Sequence, residues 1–194
     1  MLAPVLVTPP TVELISIDEA KAQLNVDHAD DDALIKAIIE AAVSYLDGWS
    51  GVLGRALAAQ TWKVEACGFS ACMRLPLGNL ISVTSVKYYD QAGLQQTLAP
   101  TVYAAHSDAL GPFITLKDGQ SWPSTATRAD AIEITWAAGY GAAAENVPAA
   151  IRQAMLLLVA HWYANREAVV IGDAASPLPF AVDALLKPFR RVGI

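Results

Sequence analysis

The chain has 194 residues, enough for one large domain or a domain with a subdomain. Charged residues make up only 16% of it, against roughly 25% in ordinary globular domains, and the mean hydropathy is positive, so part of its apolar surface calls for protein partners. Thirteen basic residues against nineteen acidic ones give a net charge of −6, and no basic cluster exceeds the Arg190-Arg191 pair, which argues against tight binding to nucleic-acid phosphates.

The first residues, Met1-Leu2-Ala3-Pro4, have no basic flank and no adequate apolar core, so no signal peptide is expected. Ser16-Ile17-Asp18-Glu19 fits a capping box, with a short helix running to about Leu24. Asp30-Asp31-Asp32 then precedes Leu34, Ile35, Ile38, Ile39, Ala42, Val43 and Leu46, the spacing of an amphipathic helix that ends near Trp49. The aspartates at its start suit helix capping and the positive end of the helix dipole.

From about Gln60 the period changes from 3.6 to 2. Thr61 to Ala66 alternates, Val83 to Tyr89 is β-branched and aromatic, and Ala131 to Trp136 alternates again, so these are predicted strands. Turn signals lie between them at Pro76-Leu77-Gly78-Asn79, Asp90 to Gly93, Gly111-Pro112, Lys117 to Gly119 and Trp122-Pro123. Closely spaced strands without helices between them imply an antiparallel meander or small barrel inserted in a helical frame. Cys67 and Cys72 are the only cysteines and are expected to be free, partly buried thiols.

After Gly139-Tyr140-Gly141 a long helix is expected from Pro148 to about Glu167, with Pro148 in its first turn. It is apolar nearly all round: between Ile151 and Tyr163 only Arg152, Gln153 and His161 are strongly polar. Such a helix is either the central core helix or is covered partly by another subunit. Its longest apolar run, Met155 to Ala160, is far short of the roughly 20 residues that span a bilayer, so the chain is read as soluble and cytoplasmic, with no membrane partner. Gly172 and Pro177 separate a last short helix, about Phe180 to Leu186, which Pro188 stops. The whole is an α+β chain: residues 1–59 an N-terminal helical part, 60–140 the β insertion, 141–172 the long helix, and 173–194 a C-terminal tail.

No chemical motif survives comparison with a plain structural role. Gly139-Tyr140-Gly141-Ala142-Ala143-Ala144 mimics a dinucleotide fingerprint, but the helix waits until about Pro148 and the preceding strands look antiparallel, so a turn is expected. The cluster Asp27, Asp30, Asp31, Asp32 lacks the glycine and the distal glutamate of a calcium loop. His28, His106 and His161 fall in three segments without ligand spacing; His161 reads as a dipole partner or hydrogen-bonded core residue. Glu133 is the outward alternate of its strand and reads as a solvated carboxylate. No catalytic residue, cofactor or metal is assigned.

The order of segments nevertheless has a counterpart. Ser16 to Leu24, the Asp-Asp-Asp helix, Gln60-Thr61-Trp62, Leu75-Pro76-Leu77-Gly78, Ser82-Val83-Thr84-Ser85-Val86-Lys87-Tyr88-Tyr89-Asp90, Trp122-Pro123, Ala138-Gly139-Tyr140-Gly141, Val147-Pro148 and His161-Trp162-Tyr163-Ala164-Asn165-Arg166-Glu167 follow one another along nearly the full chain. Together they resemble the head-tail connector, or adaptor, proteins of long-tailed bacteriophages and phage-like gene transfer agents.

The resemblance implies a structural protein and not an enzyme, located in the neck of a virion or phage-like particle and assembled in the bacterial host cytoplasm. It implies a homo-oligomeric ring, dodecameric to match the portal, that extends the DNA channel and joins capsid to stopper and tail. Double-stranded DNA would pass without specific binding, through a lumen that is neutral or acidic. The helices Asp31 to Trp49 and Pro148 to Arg166 would build the ring wall, with Met155, Leu156, Val159, Trp162 and Arg166 at the subunit interface. The tail would dock on the portal through the apolar anchors Leu178, Phe180, Leu185, Leu186 and Phe189 and the polar partners Lys187, Arg190 and Arg191, and would be mobile until docked. Another neck or tail component, a stopper or tail terminator, is the alternative; a small enzyme of unknown chemistry ranks below it.

Overall fold

A computed structural model describes residues 1–166 and 180–191. Its elements in order are β1 (Val5–Thr8), α1 (Ile17–Leu24), α2 (Asp32–Leu46), β2 (Gln60–Ala66), β3 (Cys72–Arg74), β4 (Leu80–Tyr89), β5 (Gln95–Thr97), β6 (Tyr103–Asp108), β7 (Gly111–Leu116), β8 (Ile132–Ala138), α3 (Ala149–Ala164) and α4 (Phe180–Leu186).

The start of α1 is set as its sequence requires. Ser16 Oγ accepts from the Glu19 amide at 3.2 Å, and the Glu19 carboxylate accepts from the Ser16 amide at 2.9 Å, so two of the four loose donors of the first turn are satisfied. Asn25 stops the helix in the left-handed conformation at φ 55°. In α2 the residues on the 3, 4, 7 spacing, Ile35, Ile39, Ala42 and Leu46, are the buried ones. They meet the buried stripe of α3, Ile151, Ala154, Met155, Leu158 and Val159, in one helical core that also takes in Val182 and Leu186 of α4.

The strands form a five-stranded antiparallel sheet in the order β1-β2-β8-β4-β5 and a three-stranded one in the order β3-β7-β6, with no closed barrel among the described residues. In β2 and β8 every second residue is buried, and their register pairs Trp62 with Trp136 and Val64 with Ile134. Met73, Tyr103 and Ile114 of the small sheet close the same core from the other side. The opposite face of the large sheet carries charge. Glu133 is not a lone solvated carboxylate: Lys63 Nζ lies 3.1 Å from it and Lys87 Nζ 3.9 Å, across the neighbouring strands.

β1 joins the sheet from the N-terminus, pairing with β2 through Val5 with Lys63 and Leu6 with Trp62. The segment 1–59 is therefore not purely helical, and the sheet is not wholly an insertion. Cys67 and Cys72 are free but exposed rather than partly buried, because both fall in the loop and short strand at the rim. The Gly139 to Gly141 stretch is a turn, as expected: Tyr140 donates to Leu57 O and Ala59 to Gly141 O, stitching the end of β8 to the chain before β2.

That junction is closed by Asp47, just beyond α2. Its carboxylate accepts from the Leu57 amide at 2.7 Å and from Gln60 Nε2 at 3.0 Å. Burial pushes this carboxyl above the usual range, and the hydrogen bonds from Leu57, Gln60 and Gly48 work against that shift.

Candidate functional site

The C-terminal segment was the expected docking element, and its geometry differs from a loose tail. α4 packs on α3 with Val182 and Leu186 fully buried, and Leu185 and Phe189 lie half-buried against the same core. One 3-10 turn, Lys187–Phe189, ends the helix at Pro188. Beyond it the Arg191 amide donates to Leu53 O at 3.0 Å, and its guanidinium donates to Leu75 O at 3.2 Å and Leu110 O at 3.4 Å. Residues 180–191 are thus fastened to both layers of their own subunit, which corrects the expectation that this stretch is mobile until docked: its apolar side is already consumed.

The eight expected portal contacts therefore separate. Leu186 is core, and Leu185, Phe189 and Arg191 are committed largely to the subunit itself. Phe180 is 87% exposed, and Lys187 and Arg190 are also exposed, with Arg190 paired to Asp183 at 2.7 Å. Leu178 lies outside the described residues.

The expected subunit face on α3 separates in the same way. Met155 and Val159 are fully buried under the subunit's own helices, so neither can touch a neighbour, and this part of the expectation is corrected. Leu156 and Trp162 are half-buried, with Trp162 edge-on to Tyr45 at 6.0 Å between ring centroids. Arg166 is exposed, 2.9 Å from Asp31 and stacked over the Tyr163 ring at 4.6 Å. The Tyr163 hydroxyl donates to the same Asp31 carboxylate. Asp31 thus clamps the end of α3 and makes no side-chain cap at the start of α2. These bonds, Tyr163 first and then Arg166, hold its carboxyl below the usual range.

Two surfaces were not anticipated. Val5, Leu6 and Val7 of β1 are 53, 41 and 51% exposed along a sheet edge, and Met1, Leu2 and Trp49 are also exposed. Met1, Leu2 and Trp49 line an open hollow of about 590 Å³ whose wall includes Pro76 and Arg191. A second hollow, of about 200 Å³, is polar and is lined by Arg55, Asn79, Asp108, Arg190 and Arg191. There Arg74 grips Asp108 with two bonds of 2.9 and 2.8 Å and, with the Leu110 and Gly111 amides, holds its carboxyl down at about 2. The Leu75-Pro76-Leu77-Gly78 motif marked one wall of this hollow, but nothing local in the sequence joins it to Arg55 or Arg191.

Among the described residues no group of three metal-ligating side chains comes together, and no helix is long and apolar enough to cross a membrane. Asp47, the buried carboxyl, is occupied by the junction it closes.

The tail thus joins a helical layer to a β layer, and apolar residues of β1, Trp49 and Phe180 stay exposed. The head completion protein model matches residues 13–192, and the chain belongs to that family. Its fold is similar to proteins solved in the neck of an empty GTA particle computed with C6 symmetry (TM-score 0.78, 23% identity) and in the virion of a native gene transfer agent particle (0.77, 24%). It is similar also to one in the neck of a native GTA particle computed with C12 symmetry (0.75, 23%), and in each case the likeness covers 100% of this chain and 97% of the other. No curated protein sequence matches the chain.

Proposed function

We propose that the chain is a head-tail connector of a tailed phage or gene transfer agent, with a structural rather than a catalytic role: a ring of identical subunits beneath the portal, carrying the stopper and tail. The observation behind this reading is that the likeness to a neck protein spans both layers and the tail, 100% of this chain, in a member of the head completion family. A closed ring needs two different complementary faces on each subunit. Exposed apolar residues at β1, Trp49 and Phe180 supply surface beyond what the two internal cores consume. The net charge of −6 suits a channel through which DNA slides without being held. Portal docking falls to the outward side of the tail, Phe180, Lys187 and Arg190.

The test mixes pure protein with portal and measures size. A ring that forms on the portal, dodecameric in register with it, is expected; a compact monomer that ignores portal sinks the reading. Phe180→Asp should leave the unfolding temperature unchanged, since the ring of Phe180 stands in solvent, yet give filled heads without tails when it replaces the wild-type protein. Particles that join heads to tails as before would remove Phe180 from the docking surface.

A further inference from the structure

The polar hollow between the two layers is a cationic socket. Arg55 Nε donates to Phe189 O at 2.6 Å and its Nη1 donates to Asn79 Oδ1 at 3.1 Å, while the Arg191 guanidinium, among the described residues, donates to the Leu75 and Leu110 carbonyls. Among the described residues neither guanidinium has a carboxylate partner, because Asp108 is held by Arg74 and Asp183 by Arg190. Asn79 also lines the hollow, and its Nδ2 is buried with no hydrogen-bond partner among the described residues. A buried donor left without a partner is costly, and two guanidinium groups side by side add repulsion. Burial first, and then the charges of Arg55 and Arg74, push the Arg191 guanidinium below its usual range.

The backbone is shaped for this cluster. A Cβ on Gly78 would stand 2.4 Å from Arg55 Nη1, and one on Gly111, at φ 117°, would stand 3.2 Å from Arg191 Nη2, so both guanidinium groups lie against glycines that leave them room. Asn79 itself holds φ 62°, and Leu77 before it φ 69°, which turns the Leu-Pro-Leu-Gly-Asn segment around the guanidinium of Arg55.

We propose that this socket, Arg55, Arg191 and Asn79, receives an aspartate or glutamate carboxylate from the adjacent copy of the chain, as the polar lock of the ring contact. This rests on the ring reading. A hollow of about 200 Å³ has room for a single side chain. The chain supplies the complement: nineteen acidic residues stand against thirteen basic ones, and among the described residues Asp27, on the exposed turn before α2, has no cationic partner. Two guanidinium groups and an amide converging on one carboxylate satisfy its oxygens with charge-assisted bonds and fix the register between neighbours.

Asn79→Asp is the decisive variant. It keeps size and backbone preference but fills the socket with the subunit's own carboxylate beside Arg55. The unfolding temperature should hold or rise, while ring assembly on the portal weakens roughly tenfold or more. Unchanged assembly would overturn the proposal. An image of the wild-type ring at side-chain detail gives the second readout, independent of whether the variant folds. A neighbouring copy's carboxylate about 3 Å from Arg191 and Asn79 is expected. A DNA phosphate, a portal carboxylate, the chain's own terminal carboxylate or no anion there would overturn it while leaving the ring intact, whereas absence of any ring removes the connector reading itself.

Discussion

At the scale of single residues, several polar side chains hold segments together across long sequence distances. Asp31 joins the start of α2 to the end of α3, Asp47 joins α2 to β2, and Asp108 fixes the β6–β7 turn to β3 through Arg74. Asp108 gives the clearest pH signature. Its folded carboxyl titrates at about 2, below the ordinary aspartate value of 3.8, so its contribution to stability is complete above about pH 4 and is lost as pH falls through 2. Asp108→Asn should therefore unfold at lower urea than wild type at pH 7, with the gap closing as pH drops from 4 to 2. Urea midpoints at pH 7, 4 and 2 check this; a gap that stays constant would mean that Arg74 and Asp108 do not form an ion pair in solution. Asp31, depressed by Tyr163 and Arg166, adds to acid sensitivity in the same direction.

At the scale of elements, α4 shows how packing can reverse an expectation drawn from sequence. Gly172 and Pro177 isolate it, and a seven-residue helix has little stability of its own, so a loose tail was the natural reading. What holds it is the burial of Val182 and Leu186 against α3 and the Arg191 amide on Leu53. Leu186→Ala should cost about 2–5 kcal/mol and increase hydrogen exchange through α4, read by denaturation and mass spectrometry; a cost under about 1 kcal/mol would mean that the helix is undocked in solution. The elements legible beforehand were those with a strong local signal: the capping box of α1, the 3.6 period of α2, the strict alternation of β2 and β8. β1 was not, because all four residues of Val-Leu-Val-Thr are exposed and show no alternation. β7 opens on Gly111-Pro112, which read as a turn, and β6 is Tyr-Ala-Ala-His-Ser-Asp, poor in strand formers. The all-round apolar helix α3 revealed that it must be covered, but periodicity does not say which chain covers it, and Met155 and Val159 proved internal. The arginine socket was beyond reach for the same reason: Arg55, Asn79 and Arg191 meet only through the fold.

At the scale of the whole molecule, low charge and positive hydropathy promised surplus apolar surface, and the N-terminal strand and its neighbourhood carry much of it, with Ile81, Leu94, Leu110 and Phe180 exposed elsewhere. β1 is an edge of the five-stranded sheet, flanked on one side only, with Val5, Leu6 and Val7 at 53, 41 and 51% exposure. An apolar edge with free backbone donors and acceptors is a template for another strand, and proteins that stay monomeric blunt such edges with charge or proline. Here Pro9 and Pro10 follow the strand, but no charge lies within it. The edge should therefore be covered when subunits assemble. Val7→Lys places a charge on the strand at a site half exposed in the free subunit, where substitutions shift stability by about 0.5 kcal/mol or less. Sedimentation velocity over a range of concentrations should show wild type forming larger species in which the variant does not take part, while circular dichroism and the unfolding midpoint of the two coincide. If Val7→Lys assembles as readily as wild type, β1 is not the covered surface, and the apolar area between subunits of the proposed ring must come from Trp49 and the exposed parts of the helical layer instead.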